Sequence, residues 1–123
     1  MSAHQRPSLD EWLREAKTSG AADGVGMYLV HNGVVRGFSR DGRTVTSMEL
    51  SVDEGALSAA LDDARRMPGV SLVRAWVNAG RLEVGDDIMY VLVGGDVREH
   101  VFEALQTLVR TIKTTVVTEH ELR

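Results

Sequence analysis

The stretch of this sequence that most restricts its fold is a run of six apolar residues, Ile88 to Val93, with glycines on both sides. The run is too short to span a membrane and has the usual length of a buried β-strand. The segment before it, Gly80 to Asp87, is rich in glycine and acidic residues, and Gly94-Gly95 follows it. Glycine clusters of this kind mark turns and breaks. The sequence therefore predicts a buried strand between two breaks.

A helical pattern follows the glycine pair. Apolar residues recur three and four positions apart, and two more widen the stripe: Val97, Val101, Leu105, Leu108 and Ile112, with Phe102 and Val109. This spacing is typical of an amphipathic helix that packs on a sheet. Lys113 falls at the end of the helix, where a cation complements the helix dipole.

Two further helices are predicted from capping signals. Ser8 with Glu11, and Ser51 with Glu54, have the spacing of a capping box, so we expect helices to begin at these points. Trp12 lies on the apolar face of the first helix and is predicted to be a core or interface anchor. Apolar and β-branched runs predict further strands at 25–30, 44–50, 70–77 and 114–118, with a turn or bulge at 31–33.

The resulting order is helix, strand, strand, helix, strand, strand, helix and short strand. It predicts an α+β fold with an antiparallel or mixed sheet, two helices packed on that sheet and an additional N-terminal helix. A length of 123 residues fits one domain. Within residues 1–123 we expect an N-terminal helix and lead-in over 1–23, a core over 24–118 and a polar tail over 119–123.

Composition excludes several classes of function. The formal net charge of −4 argues against general nucleic-acid binding, which is usually accompanied by a basic excess. The chain has no cysteine, so it can form neither a disulfide nor a thiolate metal site. No apolar run approaches the length of a membrane span, and the first residues lack the apolar core of a signal peptide. We therefore expect a cytoplasmic protein that binds neither nucleic acid nor membrane.

The sequence contains no familiar catalytic or phosphate-binding motif. Its four histidines, His4, His31, His100 and His120, do not have the spacing of metal ligands, so solvated or hydrogen-bonded roles are favoured and no metal or cofactor is predicted. The carboxylates likewise give no argument for a general acid–base pair.

The cations are more informative. Arg36, Arg40 and Arg43 lie together on a predicted flexible connection, Arg98 opens the last helix, and Lys113 ends it. Arginine forks and helix N-termini both favour phosphates and carboxylates, and a lysine in a partly desolvated pocket can act as acid, base or nucleophile. Solvated surface charge is the competing interpretation of the same residues.

Several segments together resemble the large, catalytic subunit of molybdopterin synthase. They are Gly33-Val34-Val35-Arg36, the GRLEVGD letters of Gly80 to Asp86, Arg98 with Phe102-Glu103-Ala104, and Ile112-Lys113. The resemblance extends from about Gly24 to Lys113. It implies that the sheet and helices form the α/β-hammerhead type of fold found in that family.

The resemblance also implies a function. In the family, a dimer of large subunits binds a small ubiquitin-like sulfur-carrier subunit at each end. Sulfur passes from the thiocarboxylate of that subunit to cyclic pyranopterin monophosphate, in molybdenum or tungsten cofactor biosynthesis. Arg36 and Arg98 match positions that line the pocket, and Lys113 matches an essential lysine; Arg40 and Arg43 are further candidates for binding the anionic pterin. A homodimer with this partner and this substrate is therefore expected.

The chain departs from the family pattern at several chemical positions. Val97 and Val77-Asn78 stand where the family has His-Arg pairs. By spacing, His120 occupies the place of a second catalytic lysine, and it could serve as a proton donor there. The chain is thus expected to be a divergent and C-terminally shortened member.

Three interpretations remain open. The first is a sulfur-transferring synthase subunit in which Lys113 and His120 are catalytic. The second is a catalytically degenerate homodimer that binds a pterin, another anion or a ubiquitin-like protein tail. The third is an interaction domain without a small-molecule site.

Overall fold

A computed structural model describes residues 6–123, so His4 and the first part of the predicted lead-in lie outside the described residues. The described chain contains three α-helices, six strands and two short irregular helices. In chain order they are α1 (Leu9–Lys17), a 3₁₀ turn (Ala22–Gly24), β1 (Met27–Val34), β2 (Ser47–Val52), α2 (Glu54–Arg65), β3 (Val70–Val77), β4 (Gly80–Glu83), β5 (Asp87–Gly95), α3 (Arg98–Thr111), a π turn (Ile112–Val116) and β6 (Val117–Leu122).

The strands form two antiparallel sheets, which confirms the α+β class but divides the predicted sheet. The first sheet has the order β1-β5-β3 and the second the order β4-β2-β6. The division arises at the glycine segment after β3, where the chain leaves the first sheet. Gly80 and Gly85 have φ angles of +119° and +93°, a region that glycine adopts without strain. Between them β4 pairs with β2, and the chain then returns as β5.

The predicted buried strand is the centre of the first sheet. Alternate side chains of β5 point to opposite faces. Met89, Val91 and Val93 pack in the core cluster with α2 and α3, whereas Tyr90 contacts Trp12 of α1 edge-on, with ring centroids 6.4 Å apart. Because both faces are covered, every position of the run can be apolar. The expected role of Trp12 as an anchor is confirmed by this contact.

One core connects the two sheets. Met48, Leu50, Leu82 and Val117 of the second sheet belong to the same buried cluster as the strands of the first. The helix α3 closes this cluster with Val101, Ala104 and Leu108, and Ile112 continues it at the start of the π turn. Val101, Leu108 and Ile112 belong to the predicted stripe. Two residues of the predicted stripe near the N-terminal end of α3, Val97 and Phe102, are exposed and do not join the core.

One capping prediction is confirmed and the other is shifted. The side chain of Ser8 accepts a hydrogen bond from the backbone N–H of Glu11 at 3.2 Å, as predicted. The second cap is Asp53 rather than Ser51, and its carboxylate accepts from the N–H of Ala56 at 3.0 Å. Ser51 is instead the last but one residue of β2, where strand pairing with Thr118 determines its conformation.

The end of the chain requires a larger correction. The predicted short final strand is present, but it begins at Val117 rather than Thr114 and extends through most of the predicted polar tail to Leu122, along β2. Thr114 and Thr115 extend the helical turn instead, since their hydroxyls donate to the carbonyls of Arg110 and Thr111 at 2.9 and 2.8 Å. The polar side chains of β6 gave no sequence pattern that is typical of a strand. Pairing with β2 nevertheless satisfies the backbone hydrogen bonds of β6, whatever its side chains are.

The turn or bulge predicted at 31–33 is present only as an irregularity of strand pairing after Gly33, and β1 continues through these residues. His31 lies inside β1, opposite Val91 of β5. The nine-residue β5 offers β1 a partner as far as Val34, with one irregularity after Gly33. His31 therefore shares the sheet face of Leu29, which packs against the core.

Candidate anion-binding cleft

The three clustered arginines lie on a loop that the main chain ties to the rest of the fold. The N–H of Val35 donates to the carbonyl of Asp86 at 3.0 Å, and the N–H of Val45 donates to the carbonyl of Gly37 at 2.9 Å. Phe38 and Thr44 form an isolated antiparallel bridge between these points. The predicted connection between β1 and β2 is thus a small hairpin that projects Arg36, Arg40 and Arg43.

Asp41 organises the tip of this hairpin. Its carboxylate accepts hydrogen bonds from the hydroxyl of Ser39, from the backbone N–H of Arg43 at 3.1 Å and from Nε of Arg43 at 2.7 Å. These contacts, the Ser39 hydroxyl first and the Arg43 N–H second, lower the pKa of Asp41 to about 2. One of the three arginines is therefore already neutralised by a local partner.

The hairpin forms one wall of a cleft of about 820 Å³. β6 and the π turn contribute residues on another side, and apolar side chains of β1, β2 and β5 complete it. The permanent cations that line the cleft are Arg36, Arg40, Arg43, Lys113 and Arg123; the carboxylates are Asp41, Glu119 and Glu121; the apolar residues are Val34, Met48 and Ile88; and Ser39 and His120 are also present.

The cleft carries a positive excess of two formal charges when His120 is neutral. Three cations have carboxylate partners: Arg43 with Asp41 at 2.7 Å, Lys113 with Glu119 at 3.0 Å, and Arg123 with Glu121 at 3.6 Å. Within residues 6–123, Arg36 and Arg40 form no ion pair. Their guanidinium groups are therefore the ones free to bind an anion bidentately.

Lys113 reaches the cleft from the π turn. Single π turns of this kind are common at functional sites because they redirect a side chain out of the helical repeat. The buried Ile112 and Val116 fix the turn on the core, while the Lys113 side chain is 45% exposed. Burial and then the charge of Lys113 lower the pKa of His31.

His120 lines the cleft but its strand position directs its ring elsewhere. On β6 it pairs with Glu49, whose side chain lies on the face opposite Met48 and Leu50. A second, shallower concavity of about 330 Å³ lies on that face and includes His120, Glu49 and Arg81. Glu119 and Glu121 occupy the alternate positions of β6 and face the cleft.

Arg98 lies apart from the other candidate cations. It is exposed at the first position of α3, whereas Lys113 follows the last. A helix of this length separates its two ends by about 20 Å. Within one chain the structure therefore brings together Arg36, Arg40, Arg43 and Lys113 with His120, but not Arg98.

Sequence reasoning missed three residues of this cleft and the strand position of His31. Glu119, Glu121 and Arg123 were assigned to a tail, and His31 to a turn or bulge. The polar residues 118–121 show no hydrophobic alternation that could have indicated the strand. For His31 the signal was its two-residue spacing from Met27 and Leu29, which places all three on one face of β1.

Two further observations concern other classes of protein. Within residues 6–123, no three histidine or carboxylate residues come together as metal ligands would. Among the described helices, none is long and apolar enough to cross a membrane.

A comparison with protein families gives a match over nearly the whole chain. The family described as MoaE protein matches residues 3–115. The chain belongs to the MoaE family. No curated protein sequence matches it significantly.

Solved structures with this fold include other MoaE proteins. The chain is similar to molybdopterin synthase from Staphylococcus aureus, with a TM-score of 0.75 and 21% identity over 95% of this chain and 86% of that one. It is also similar to the MoaE protein of Burkholderia ambifaria, with a TM-score of 0.74 and 22% identity over 96% and 84% of the two chains. A third similar structure is the complex of subunits 1 and 2 of the molybdopterin-converting factor from Helicobacter pylori, with a TM-score of 0.68 and 16% identity over 94% and 79%.

The family match confirms the family that the sequence predicted, and the similar structures confirm the fold. Identities of 16–22% carry the architecture only. The roles of individual residues in this MoaE chain therefore depend on its own geometry.

Proposed function

We propose that this chain is a large-subunit homologue of molybdopterin synthase that transfers sulfur from a small-subunit thiocarboxylate to cyclic pyranopterin monophosphate. Membership of the MoaE family and the similar solved structures support a role in molybdenum cofactor biosynthesis. The observation that carries the finer proposal is the single cleft into which Arg36, Arg40 and Lys113 project.

The cleft has the charge that such a reaction requires. The acceptor carries a phosphate and the donor ends in a thiocarboxylate, so two anions must be held close together. Arg36 and Arg40 have no ion-pair partner among residues 6–123 and can bind oxygen atoms of the phosphate. Lys113 lines the same cleft, where its ammonium group can stabilise negative charge at the reacting group.

A protein partner is supported by apolar surface beside the cleft. Phe38 is 61% exposed, and Val84 and Val34 are 47% and 42% exposed. Val84 lies next to Gly37 of the hairpin, and Val34 lines the cleft itself. Exposed apolar patches of this kind are typical of binding surfaces. We assign this one to the small ubiquitin-like subunit, and the two-subunit complex among the similar structures supports that assignment.

We propose that the chain acts as a homodimer. Arg98 is too far from Lys113 along α3 to join the cleft of its own chain. A second copy that presents Arg98 to the cleft would add one more guanidinium for the substrate phosphate. Arg98→Ala should then weaken substrate binding, and mixing this variant with Lys113→Ala protein should restore part of the activity in the heterodimers.

The decisive experiment is a turnover assay with the thiocarboxylated small subunit and cyclic pyranopterin monophosphate. The chain has only two lysines, Lys17 and Lys113. Lys113→Ala should abolish sulfur transfer, while Lys17→Ala, on the exposed surface of α1, is the matched control and should leave it unchanged. Equal activity of both variants would contradict the proposal.

Substrate binding should depend on the two unpaired arginines. A hydrogen bond to a charged group contributes about 1.5–3 kcal/mol, so Arg36→Ala or Arg40→Ala should weaken binding of the pterin about tenfold to a hundredfold. Arg66→Ala is the control, because Arg66 is exposed just after α2 and pairs only with Asp63 among the described residues. Unchanged binding in both cleft variants would place the phosphate elsewhere.

A binding protein without turnover is the alternative. Two observations favour it: Lys113 is already paired with Glu119, and the ring of His120 faces away from that pair. The proton-donating role predicted for His120 therefore needs its own test. On the strand geometry we expect His120→Gln to retain most of any activity. Binding of the pterin or of the carrier tail with no turnover would favour the alternative.

A further inference from the structure

The ion pair between Lys113 and Glu119 is the most enclosed charged contact of the cleft. Nζ of Lys113 lies 3.0 Å from Oε2 of Glu119, and the Glu119 side chain is only 25% exposed. That oxygen is shielded from solvent and has no hydrogen-bonded partner of its own among the described residues. The ammonium group is therefore its only neutralising contact there, and a shielded carboxylate holds such a contact more firmly than a solvated one.

Strand alternation gives Glu119 this position. Glu119 pairs with Leu50 and Glu121 with Met48, and both partners belong to the core face of β2. The side chains of Glu119 and Glu121 therefore leave β6 on the cleft side, and His120 leaves on the other. Glu119, rather than His120, is therefore the residue of β6 that contacts the amine of Lys113.

His31 is a titratable group of β1 whose charge state depends in part on Lys113. It lies on the face of β1 that packs toward α3, and burial followed by the charge of Lys113 lowers its pKa. The lowered pKa favours the neutral imidazole, so Glu119 is the charged group that contacts Lys113 among the described residues.

We propose that Glu119 is a positioning residue that holds the ammonium group of Lys113 toward the cleft and releases part of that contact when an anion binds. This inference rests on the sulfur-transfer function proposed above, and it concerns how Lys113 is placed for it. A lysine has a flexible four-carbon stem, so without a fixed partner its charge would sample many positions. An incoming thiocarboxylate or phosphate competes with Glu119 for the same ammonium group.

Glu119→Gln keeps the shape of the side chain and removes its charge. Anion affinity should rise in this variant, because the cleft loses one negative charge beside Lys113. The turnover number should fall about tenfold to a hundredfold, because a displaced catalytic group loses that much rate. Glu121→Gln is the matched control: it removes the same charge from the same face of β6, but its partner is Arg123 at 3.6 Å. It should also raise anion affinity, but it should lower the turnover number far less than Glu119→Gln does, because Lys113 keeps its carboxylate partner.

The positioning itself can be measured without turnover. Because the chain has only two lysines, ¹⁵N-lysine labelling gives two side-chain ammonium signals, and exposed Lys17 is an internal reference. At mildly acidic pH and low temperature we expect the Lys113 signal to be shifted from that of Lys17 and to exchange more slowly with water. Glu119→Gln should move it to the Lys17 position, Glu121→Gln should not, and Glu119→Asp should give an intermediate result. Added inorganic phosphate should shift the Lys113 signal in the unmodified protein.

The possible results distinguish the positioning role of Glu119 from the proposed sulfur-transfer function. A Lys113 signal that matches Lys17 in the unmodified protein, or that ignores Glu119→Gln, overturns the positioning role whatever the activity is. Equal losses of turnover in Glu119→Gln and Glu121→Gln also overturn it. If the signals behave as expected but the unmodified protein transfers no sulfur, the ion pair stands and the sulfur-transfer function fails.

Discussion

Replacing Gly95 by alanine tests how tightly the end of β5 is enclosed. A Cβ at this position would lie 2.5 Å from the carbonyl oxygen of Gly69 and 2.8 Å from Cγ2 of Val101. Val101 is fully buried, and the Gly69 carbonyl accepts a hydrogen bond from the N–H of Asp96 at 3.0 Å. Neither neighbour can move without disturbing the start of α3.

The size of the effect follows from these contacts. Overpacking of a buried site costs about 1–3 kcal/mol, and stretching the Asp96–Gly69 hydrogen bond adds about 1 kcal/mol. We therefore expect Gly95→Ala to lower the free energy of unfolding by about 2–4 kcal/mol. For a chain of this length each kcal/mol corresponds to about 3–5 °C in Tm.

Neighbouring glycines supply graded controls for urea or thermal unfolding. A Cβ on Gly94 would approach ring carbons of Tyr28 at 2.8 Å, but Tyr28 is only half-buried and can turn, so we expect a loss of about 1 kcal/mol. Gly24 has open space around it, and alanine there should change stability by less than about 0.5 kcal/mol. If Gly95→Ala were as stable as Gly24→Ala, or Gly94→Ala were the worse variant, this account of the β5–α3 junction would be wrong.

Three further predictions concern the hairpin, the cleft and the core. Asp41→Asn should speed hydrogen exchange at the backbone amide of Arg43, because that amide loses its acceptor. The pKa of Asp41 is lowered from 3.8 to about 2, so its hydrogen bonds should be fully formed above pH 3.8 and lost as the pH falls through about 2. The chemical shift of the Arg43 amide should report this change. By NMR, the pKa of His31 should lie below 6.5 and should rise in Lys113→Gln. Because the folded state binds the proton less readily than the unfolded state, the free energy of unfolding should decrease as the pH falls from 6.5 through the lowered pKa. An unshifted pKa for His31 would contradict its burial. Leu108→Ala should cost about 2–5 kcal/mol in urea unfolding because Leu108 is only 2% exposed, whereas Gln106→Ala on the exposed side of α3 should cost little; similar losses would contradict the assigned face.

The parts of the fold that could be predicted from the sequence are those with local signals. The apolar run of β5 and the stripe of α3 each carry a complete pattern within a short window, and both were found. The cap at Ser8 was found for the same reason. The cap at Ser51 failed because Thr118 of a distant strand pairs with it, and a serine three residues before a glutamate is compatible with either outcome.

Only some residues of the cleft could be predicted from the sequence, for a related reason. Arg36, Arg40 and Lys113 were identified as candidates by charge and by family resemblance, neither of which depends on strand pairing. Glu119 and Glu121 were missed because a polar strand has no hydrophobic period to reveal it. What makes them part of the site is the pairing of β6 with β2, whose sequence separation is more than sixty residues.

The register of that pairing also decides which residue faces Lys113. Leu50 lies opposite Glu119 and Met48 opposite Glu121. A slip of one residue would exchange the two faces of β6, so that the ring of His120 would enter the cleft and Glu119 would leave it. The slip is opposed by Val117, which is buried in the core cluster and would be turned toward solvent together with Glu119. The apolar residue that begins β6 therefore selects an acid, rather than a histidine, as the partner of the proposed catalytic lysine.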